Sequence, residues 1–504
     1  MDTLSPEQRY AYEKIIRGEN VFITGPGGSG KSYLIEKIVQ YFSSMNINYQ
    51  VTSTTGCSSV LLANNIQINK KNLNVMTIHS FSGIGLCQGE NHSIIDRAIN
   101  RMVIRSRWNQ VNVLIIDEVS MMSCKMFNII EAIASNCRNN ILPFGQIQLI
   151  LLGDFLQLPP IEDKNDPETA QFCFESDTWY KTIPLRNHIE LKTIFRQKDD
   201  IFRKILSEIR IGEISATSEI VLKSIVNKVY DIEANFGLIP MQILPTRNEV
   251  AFVNKNYYDK VDAPELIFNS VLSTKETMYI DGTTIPQVII NKFKSLPEKI
   301  VSIEINNLKN NIPTIDSIHL KVGVPVMIVT NIDIEDSLCN GTIGIIRAFH
   351  YKGTQKLPVI RFGNGNERMI AVHKWQHSEY PNITLSQIPL TLAYASSIHK
   401  QQGSSITLAK MNLGRSIFED SQIYVALSRM TSLDGLYLDS FESSKIKVNK
   451  KAKEFYEAFP IIDYEYELLQ LSKIPIKSSK KSTISSFFNK LPVIKKESGC
   501  NVII

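Results

Sequence analysis

At 504 residues the chain is too long for one hydrophobic core, and 43% apolar residues suffice for several, so roughly two to four domains are expected. A net charge of +5 is only mildly basic; it is compatible with a nucleic-acid partner without indicating one, because a local groove matters more than the sum. Seven cysteines with no C-x-x-C pair argue against a disulfide framework or a zinc site and for a reducing compartment. The first residues carry no basic or apolar targeting segment, and nothing approaches an uninterrupted membrane span, so the expectation is a soluble, intracellular protein.

In chain order, Leu4-Ser5-Pro6-Glu7-Gln8 reads as a helix start, with Ser5 as N-cap, Pro6 in the first helical position and Gln8 in the capping-box place. The Gln8 amide can also donate to and accept from an adenine edge. Val21-Phe22-Ile23-Thr24 is an apolar strand running into Gly25-Pro26-Gly27-Gly28-Ser29-Gly30-Lys31-Ser32 and then a helix through Leu34, Ile35 and Val39. This is a P-loop: the glycines let backbone N–H groups close around a polyphosphate, and the helix N-terminus adds partial positive charge. Lys31 is expected between the β- and γ-phosphates, and Ser32 on the Mg²⁺ that bridges them.

Two hydroxyl- and glycine-rich stretches follow, Thr52 to Ser59 and Thr77 to Gly85. They read as loops whose backbone and hydroxyls suit the phosphates of a nucleic-acid strand, through Thr55, Gly56 and Ser80, with His79 and Phe81 available to bond or stack. Val113-Leu114-Ile115-Ile116-Asp117-Glu118 is a buried strand ending in two carboxylates. Asp117 is expected in the Mg²⁺ shell and Glu118 to polarise the attacking water. Ile147 to Leu152 is a third such strand, followed by Gly153-Asp154-Phe155-Leu156-Gln157-Leu158-Pro159-Pro160, where Gln157 could contact the γ-phosphate. Strands alternating with helical stretches imply a doubly wound parallel sheet with its ligand at the strands' carboxyl ends.

Gly153 to Pro160, Thr77 to Gly85 and Ile116-Asp117-Glu118-Val119-Ser120-Met121 together closely resemble the PIF (petite integration frequency) DNA helicases of superfamily 1B. Met126 to Gly145 resembles the insert that separates this family from RecD-type relatives. In the second half Thr193-Ile194-Phe195-Arg196-Gln197, Leu244 to Val250, Leu320 to Gly344, Ser397 to Gly403 and Tyr424 to Arg429 match further motifs in the family's order. Coverage runs from about Leu4 to Leu438. Departures are Cys57-Ser58-Ser59, Gln146, Gln401 and Ser404-Ser405; the last two could alter grip on a strand, and none removes a group needed for hydrolysis.

The resemblance implies two RecA-like P-loop NTPase domains of α/β class. The first spans 1–183 with a short 1B element near 63–76, and the second 184–262 and 386–470. An inserted β-rich 2B domain with an SH3-like barrel spans 263–385, where short apolar runs alternate with Asn-Gly, Lys-Gly and Gly-Asn-Gly turns. Phosphoryl transfer builds charge on the γ-phosphoryl oxygens, and the resemblance implies Arg196 and Arg429 as arginine fingers that answer it. It implies Thr246, Asn340, His399 and Lys400 as strand contacts.

From 471 the chain turns Lys- and Ser-rich, which predicts disorder. Within it Lys481 to Phe488 is similar to a PCNA-interacting peptide, with Ile484, Phe487 and Phe488 on one side of a tight turn and Lys481 in the usual glutamine position.

The expectation is therefore an ATP- and Mg²⁺-dependent DNA helicase of 5′-to-3′ polarity, serving replication, repair, recombination or telomere maintenance. Single-stranded and forked DNA and a sliding clamp are its expected partners, without a membrane, as a monomer, in a nucleus or at a viral replication site. Two alternatives stay open: a RecD-like or RNA-acting helicase, and a DNA-binding replication accessory that uses ATP only as a switch.

Overall fold

The computed structural model describes residues 3–474, apart from 69–70, 86, 232–238, 281, 313, 315, 331, 334–337, 339–340, 354, 364 and 378–379. Six parallel strands form the first lobe, side by side in the order Val75–Thr77, Tyr49–Ser53, Val113–Asp117, Gln148–Leu152, Val21–Thr24 and His188–Glu190. Their central members are buried throughout and apolar except at a strand end, because both faces are covered. Val21, Ile23, Val113, Ile115, Ile150 and Leu152 point into one core with Leu34, Ile35, Ile38 and Phe42 of the helix Lys31–Ser44. The alternating residues Phe22, Leu114, Ile116, Leu149 and Leu151 enter the opposite core, with Trp108 and Phe127, Ile130 and Ile133 of the helix Cys124–Cys137. The register sets Ser53 beside Asp117, Ile116 beside Leu151, and Leu152 beside Ile23, so the strand ends share one edge.

The second lobe has four parallel strands in the order Ala395–Ser397, Met241–Leu244, Ala409–Leu413, Leu436–Phe441. The helix Asp200–Arg210 buries Phe202, Ile205, Leu206 and Ile209 against them, the i, i+3, i+4, i+7 spacing of one helical face.

An antiparallel region is inserted in the chain between the second lobe's strands Met241–Leu244 and Ala395–Ser397. Five strands run in the order Glu367–Met369, Gln355–Phe362, Ile343–Lys352, Pro325–Ile328, Leu390–Leu392. The strand Ile343–Lys352 runs well past its apolar part, since its outer half carries exposed Arg347, His350 and Lys352 and gives no hydrophobic signal. Two helices, Gln287–Lys294 and Glu298–Asn311, accompany the strands of this β-rich insert and bury Phe293 and Leu308 in a small core with Trp375, Tyr380 and Leu385.

The carboxyl-terminal part corrects the expected boundary. Residues 386–470 were assigned to the second lobe, yet the helices Lys450–Glu457 and Tyr464–Ser472 return to the first. Ala452 and Phe455 are buried in its core, with the Phe455 ring stacked on Phe174 at 4.1 Å. Tyr464 meets Tyr10 edge-on at 5.4 Å, and Arg17 caps the last helix by donating to Leu471 O and Ile474 O. The spacing of Ala452, Phe455 and Tyr456 marks an inward face, but periodicity does not say which core receives it. Among the described residues no helix is long and apolar enough to cross a membrane.

Candidate active site

The strand Val21–Thr24 is fully buried and delivers the P-loop to the shared edge. Gly28 and Gly30 adopt φ of +88° and +81°, and a Cβ there would lie 2.5 Å from Arg196 Cβ and from Gln8 Nε2, respectively. Only glycine fits two such approaches in the left-handed region. The helix Lys31–Ser44 starts immediately after, and the Lys31 ammonium donates to Gly25 O at 2.7 Å and Pro26 O at 3.2 Å. Burial holds the Lys31 ammonium below its ordinary pKa against the opposing pull of Asp154, Glu118 and Asp117. Ser32 is exposed on the first turn of that helix.

Asp117 ends its strand as a buried carboxylate. Desolvation first, and Glu118 second, raise its pKa, and Lys31 works against them. The Asp117 carboxylate and the Ser32 hydroxyl offer oxygen ligands of the kind a hard divalent cation takes. Glu118 follows at φ 56°, a left-handed conformation that turns its side chain away from the strand direction. Thr54 holds this corner by accepting nothing from it and donating twice, through N to Asp117 O at 3.3 Å and through Oγ1 to Glu118 O at 2.8 Å.

The second lobe closes the other side. Arg196 donates through Nη1 to Ser428 O at 2.8 Å, and Arg429 donates through Nη2 to Ser428 Oγ at 2.9 Å and through Nε to Val425 O at 3.1 Å. The Arg429 Nη2 is 3.1 Å from the place a Gly27 Cβ would take. Tyr424 accepts from Gly27 N at 3.0 Å. Burial, and then Arg429, lower the Arg196 guanidinium to about 9, and burial lowers Arg429 in turn. Glu118 acts electrostatically on Lys31, Arg196 and Arg429 alike. The residues expected to handle phosphate thus face one cleft from two lobes.

Buried polar atoms without a partner around this cleft are Ser29 Oγ, Gln157 Oε1, Gln197 Oε1 and Gln402 Oε1. Buried polar groups are rarely left unpaired, so their cluster marks a place for a polar ligand.

Other expected residues fall as follows. Gln8 completes the Ser5 capping box, and its amide is engaged at both ends: Oε1 accepts from Ser5 N at 3.1 Å, and Nε2 reaches Ser29 O at 3.2 Å and Gly30 O at 3.4 Å. Gln157 is buried and donates to Asp154 Oδ2 at 3.3 Å. Thr55, Thr77 and Thr246 are not loop residues; each N-caps a helix at the carboxyl end of a parallel strand, with Thr246 in a capping box with Glu249. Gly56 is the first residue of its helix. Ser80 is half-buried, and its carbonyl accepts from Arg107 Nη1 at 2.9 Å. Burial lowers the His79 imidazole. Phe81 is a correction: it is 2% exposed and packs edge-on against Trp108 at 4.7 Å, so it cannot stack on a base. It lies three residues after buried Ile78, and one helical face carries both inward. Lys400 is exposed; His399 lies 3.7 Å from Glu419, and burial, then Arg247, lower it. Asn340, Ile484, Phe487 and Phe488 lie outside the described residues.

Four partners were missed. Gln402 donates to Glu118 Oε2 at 3.0 Å from the other lobe. Gln197 donates to Met430 O at 2.8 Å beside Gly28. Phe195 is 53% exposed with its ring against Gly30, next to the Gln8 amide. Asp154 is wholly buried and takes Arg210 bidentately, Nε at 3.1 Å and Nη2 at 3.0 Å. Burial alone would raise Asp154, but Arg210 overcomes it and holds the carboxylate below its usual range. The signals for Gln197, Gln402, Phe195 and Asp154 were their places inside motifs already quoted, where neighbouring residues drew the chemistry.

A family model described as "PIF1-like helicase" matches residues 3–220, and one described as "DNA helicase Pif1, 2B domain" matches residues 305–349. The ATP-dependent DNA helicase PIF1 of Danio rerio is 32% identical over 456 residues, covering 90% of this chain and 64% of that protein. The ATP-dependent DNA helicase RRM3 of Saccharomyces cerevisiae is 29% identical, covering 90% of this chain and 67% of its own. The chain therefore spans about two thirds of such relatives. Among solved structures, the Pif1 helicase from Candida albicans is 31% identical, with 91% of this chain and 100% of that chain covered at a TM-score of 0.68. A Bacteroides sp. Pif1 in complex with ADP-AlF4, at 22% identity and a TM-score of 0.67, shares the fold.

Proposed function

The chain belongs to the family of PIF1-like helicases, and from that premise we propose that it is an ATP-dependent DNA helicase that translocates 5′-to-3′ on single-stranded DNA and unwinds forked duplexes. One observation carries the reading: Lys31 and Glu118 of the first lobe, and Arg196 and Arg429 of the second, share one cleft around the P-loop.

In this reading ATP is the substrate. The P-loop N–H groups and Lys31 bind its terminal phosphates, with Phe195 offering an apolar face for the base. Ser32 and Asp117 would hold a Mg²⁺, whose charge would offset that of the phosphates. Glu118, steadied by Gln402, accepts a proton from the attacking water. Arg196 and Arg429 stabilise charge developing on the γ-phosphoryl oxygens, and Gln157 senses its departure. Because Arg429 rides on the second lobe and Arg196 is bonded to it through Ser428 O, loss of that phosphate loosens the lobes' hold on each other. Alternating grip at the helix starts Thr55, Thr77–Ser80 and Thr246, with His399, Lys400 and Asn340, then moves the strand. One chain supplies both walls, which supports a monomer as the moving unit.

Polarity is tested on forks carrying a single tail. Those with only a 5′ tail are expected to unwind with ATP, and a preference for 3′ tails would refute the assignment. A PCNA-type clamp is proposed as a second partner through Ile484, Phe487 and Phe488. A tail peptide should bind such a clamp, and binding unchanged by Phe487→Ala with Phe488→Ala would exclude these residues.

A further inference from the structure

Tyr456 lies on the carboxyl-terminal arm, 302 positions beyond Asp154, yet its hydroxyl reaches the innermost part of the first lobe. It contacts Thr24 Oγ1 at 2.5 Å, Phe155 N at 3.0 Å and Asp154 Oδ1 at 3.2 Å. A phenol has one proton and two lone pairs. Phe155 N–H must donate to it, and ionised Asp154 can only accept from it, so the Thr24 hydroxyl is left as the second donor. All three valences are used, and together they join two working parts. Thr24 immediately precedes Gly25 of the P-loop, Phe155 opens the loop that carries Gln157, and Asp154 receives the Gln157 amide.

The same point is where the two lobes join. Arg210 ends the helix Asp200–Arg210, whose apolar face is in the second-lobe core, and reaches back to Asp154 and, at 2.9 Å, to Glu190 at the end of the first lobe's edge strand. Its guanidinium lies 5.3 Å from the Tyr456 ring centre. Leu158, one residue past Gln157, is buried in the second-lobe core.

We infer that Tyr456 is a positioning residue for ATP hydrolysis, holding the P-loop strand and the Gln157 loop in one register at the pivot between the lobes. This rests on the ATPase reading above. Its hydroxyl touches neither nucleotide nor reacting water; it acts through Thr24 and Asp154.

The test is a double-mutant cycle in the full chain, with DNA-stimulated ATP turnover measured for Tyr456→Phe, Thr24→Val and both together. Each single variant is expected to lower kcat about tenfold with KM for ATP within about twofold, because register matters to the transition state more than to binding. The double variant should be no slower than about the worse single, since the hydrogen bond that Thr24→Val removes is one that Tyr456→Phe already removes. Unchanged kcat in the singles with only a lower melting temperature, or a double effect near a hundredfold, would overturn the inference. Should Tyr456→Phe fail to fold because Phe155 N–H is left unpaired, Thr24→Val alone decides, since it leaves that contact intact. Absence of turnover in the unaltered chain would instead refute the ATPase reading.

Discussion

Lys31→Ala is expected to lower DNA-stimulated ATP turnover by about 10³-fold, which corresponds to roughly 4 kcal/mol of transition-state stabilisation. The ammonium is the only cation that the first lobe's P-loop supplies from within its own sequence, and it lies in the field of Asp117, Glu118 and Asp154. Burial makes its charge costly until a polyphosphate answers it, so its contribution is to binding and to the charge that grows on the γ-phosphoryl group. The substitution removes two hydrogen bonds to the backbone, at Gly25 and Pro26, in a loop otherwise held by glycine geometry. The melting temperature should therefore change little. Lys31→Arg should not restore turnover, since a planar fork does not replace a compact point charge within a glycine loop. Residual turnover within about tenfold of the unaltered chain would mean that the phosphates lie elsewhere.

Arg429→Ala is expected to lower kcat by about 10³-fold with KM for ATP nearly unchanged, the signature of a group that answers charge present chiefly in the transition state. Its guanidinium is buried and bonded to groups of its own lobe, Val425 O and Ser428 Oγ, while pointing at Gly27 of the other. Arg196 meets the same segment through Ser428 O, and the charge of Arg429 lowers the Arg196 guanidinium. A terminal phosphate placed between them relieves that repulsion, so the pair acts as a unit. The variant Arg196→Ala with Arg429→Ala should consequently be little slower than the worse single one. Loss of Arg429 takes one of two donors from Val425 O, which keeps Ser428 Oγ at 3.0 Å, and empties a buried position, so circular dichroism must first show the variant folded. A folded Arg429→Ala with kcat within about tenfold would remove the arginine from the catalytic apparatus.

Both expectations depend on closure of two lobes, and closure is what separates the readable part of the site from the rest. Lys31, Ser32, Asp117 and Glu118 were legible because each is fixed by its own segment: an apolar strand, then a turn, then a functional group, all within about ten residues. The helix starts at Ser5 and Thr246 were equally open to view in principle, because a cap is a contact between residues three apart. The Thr55 and Thr77 starts were taken for loops because both stretches are rich in hydroxyls and glycine, which favour caps and turns alike.

What the linear order alone determined, then, is the strand, glycine turn and helix of the P-loop, the alternation of buried strands with helices, and the capping box at Ser5. Only the tertiary structure decided that Phe81 belongs to Trp108 and not to a base, that Glu118 is held by Gln402, that Asp154 pairs with Arg210, and that the arm bearing Tyr456 returns to the first lobe. The physical reason is range. A period of two or 3.6 says that one face of an element is apolar, and a polar residue says that it needs a partner. Neither says which surface, hundreds of residues away, will bury that face or meet that need.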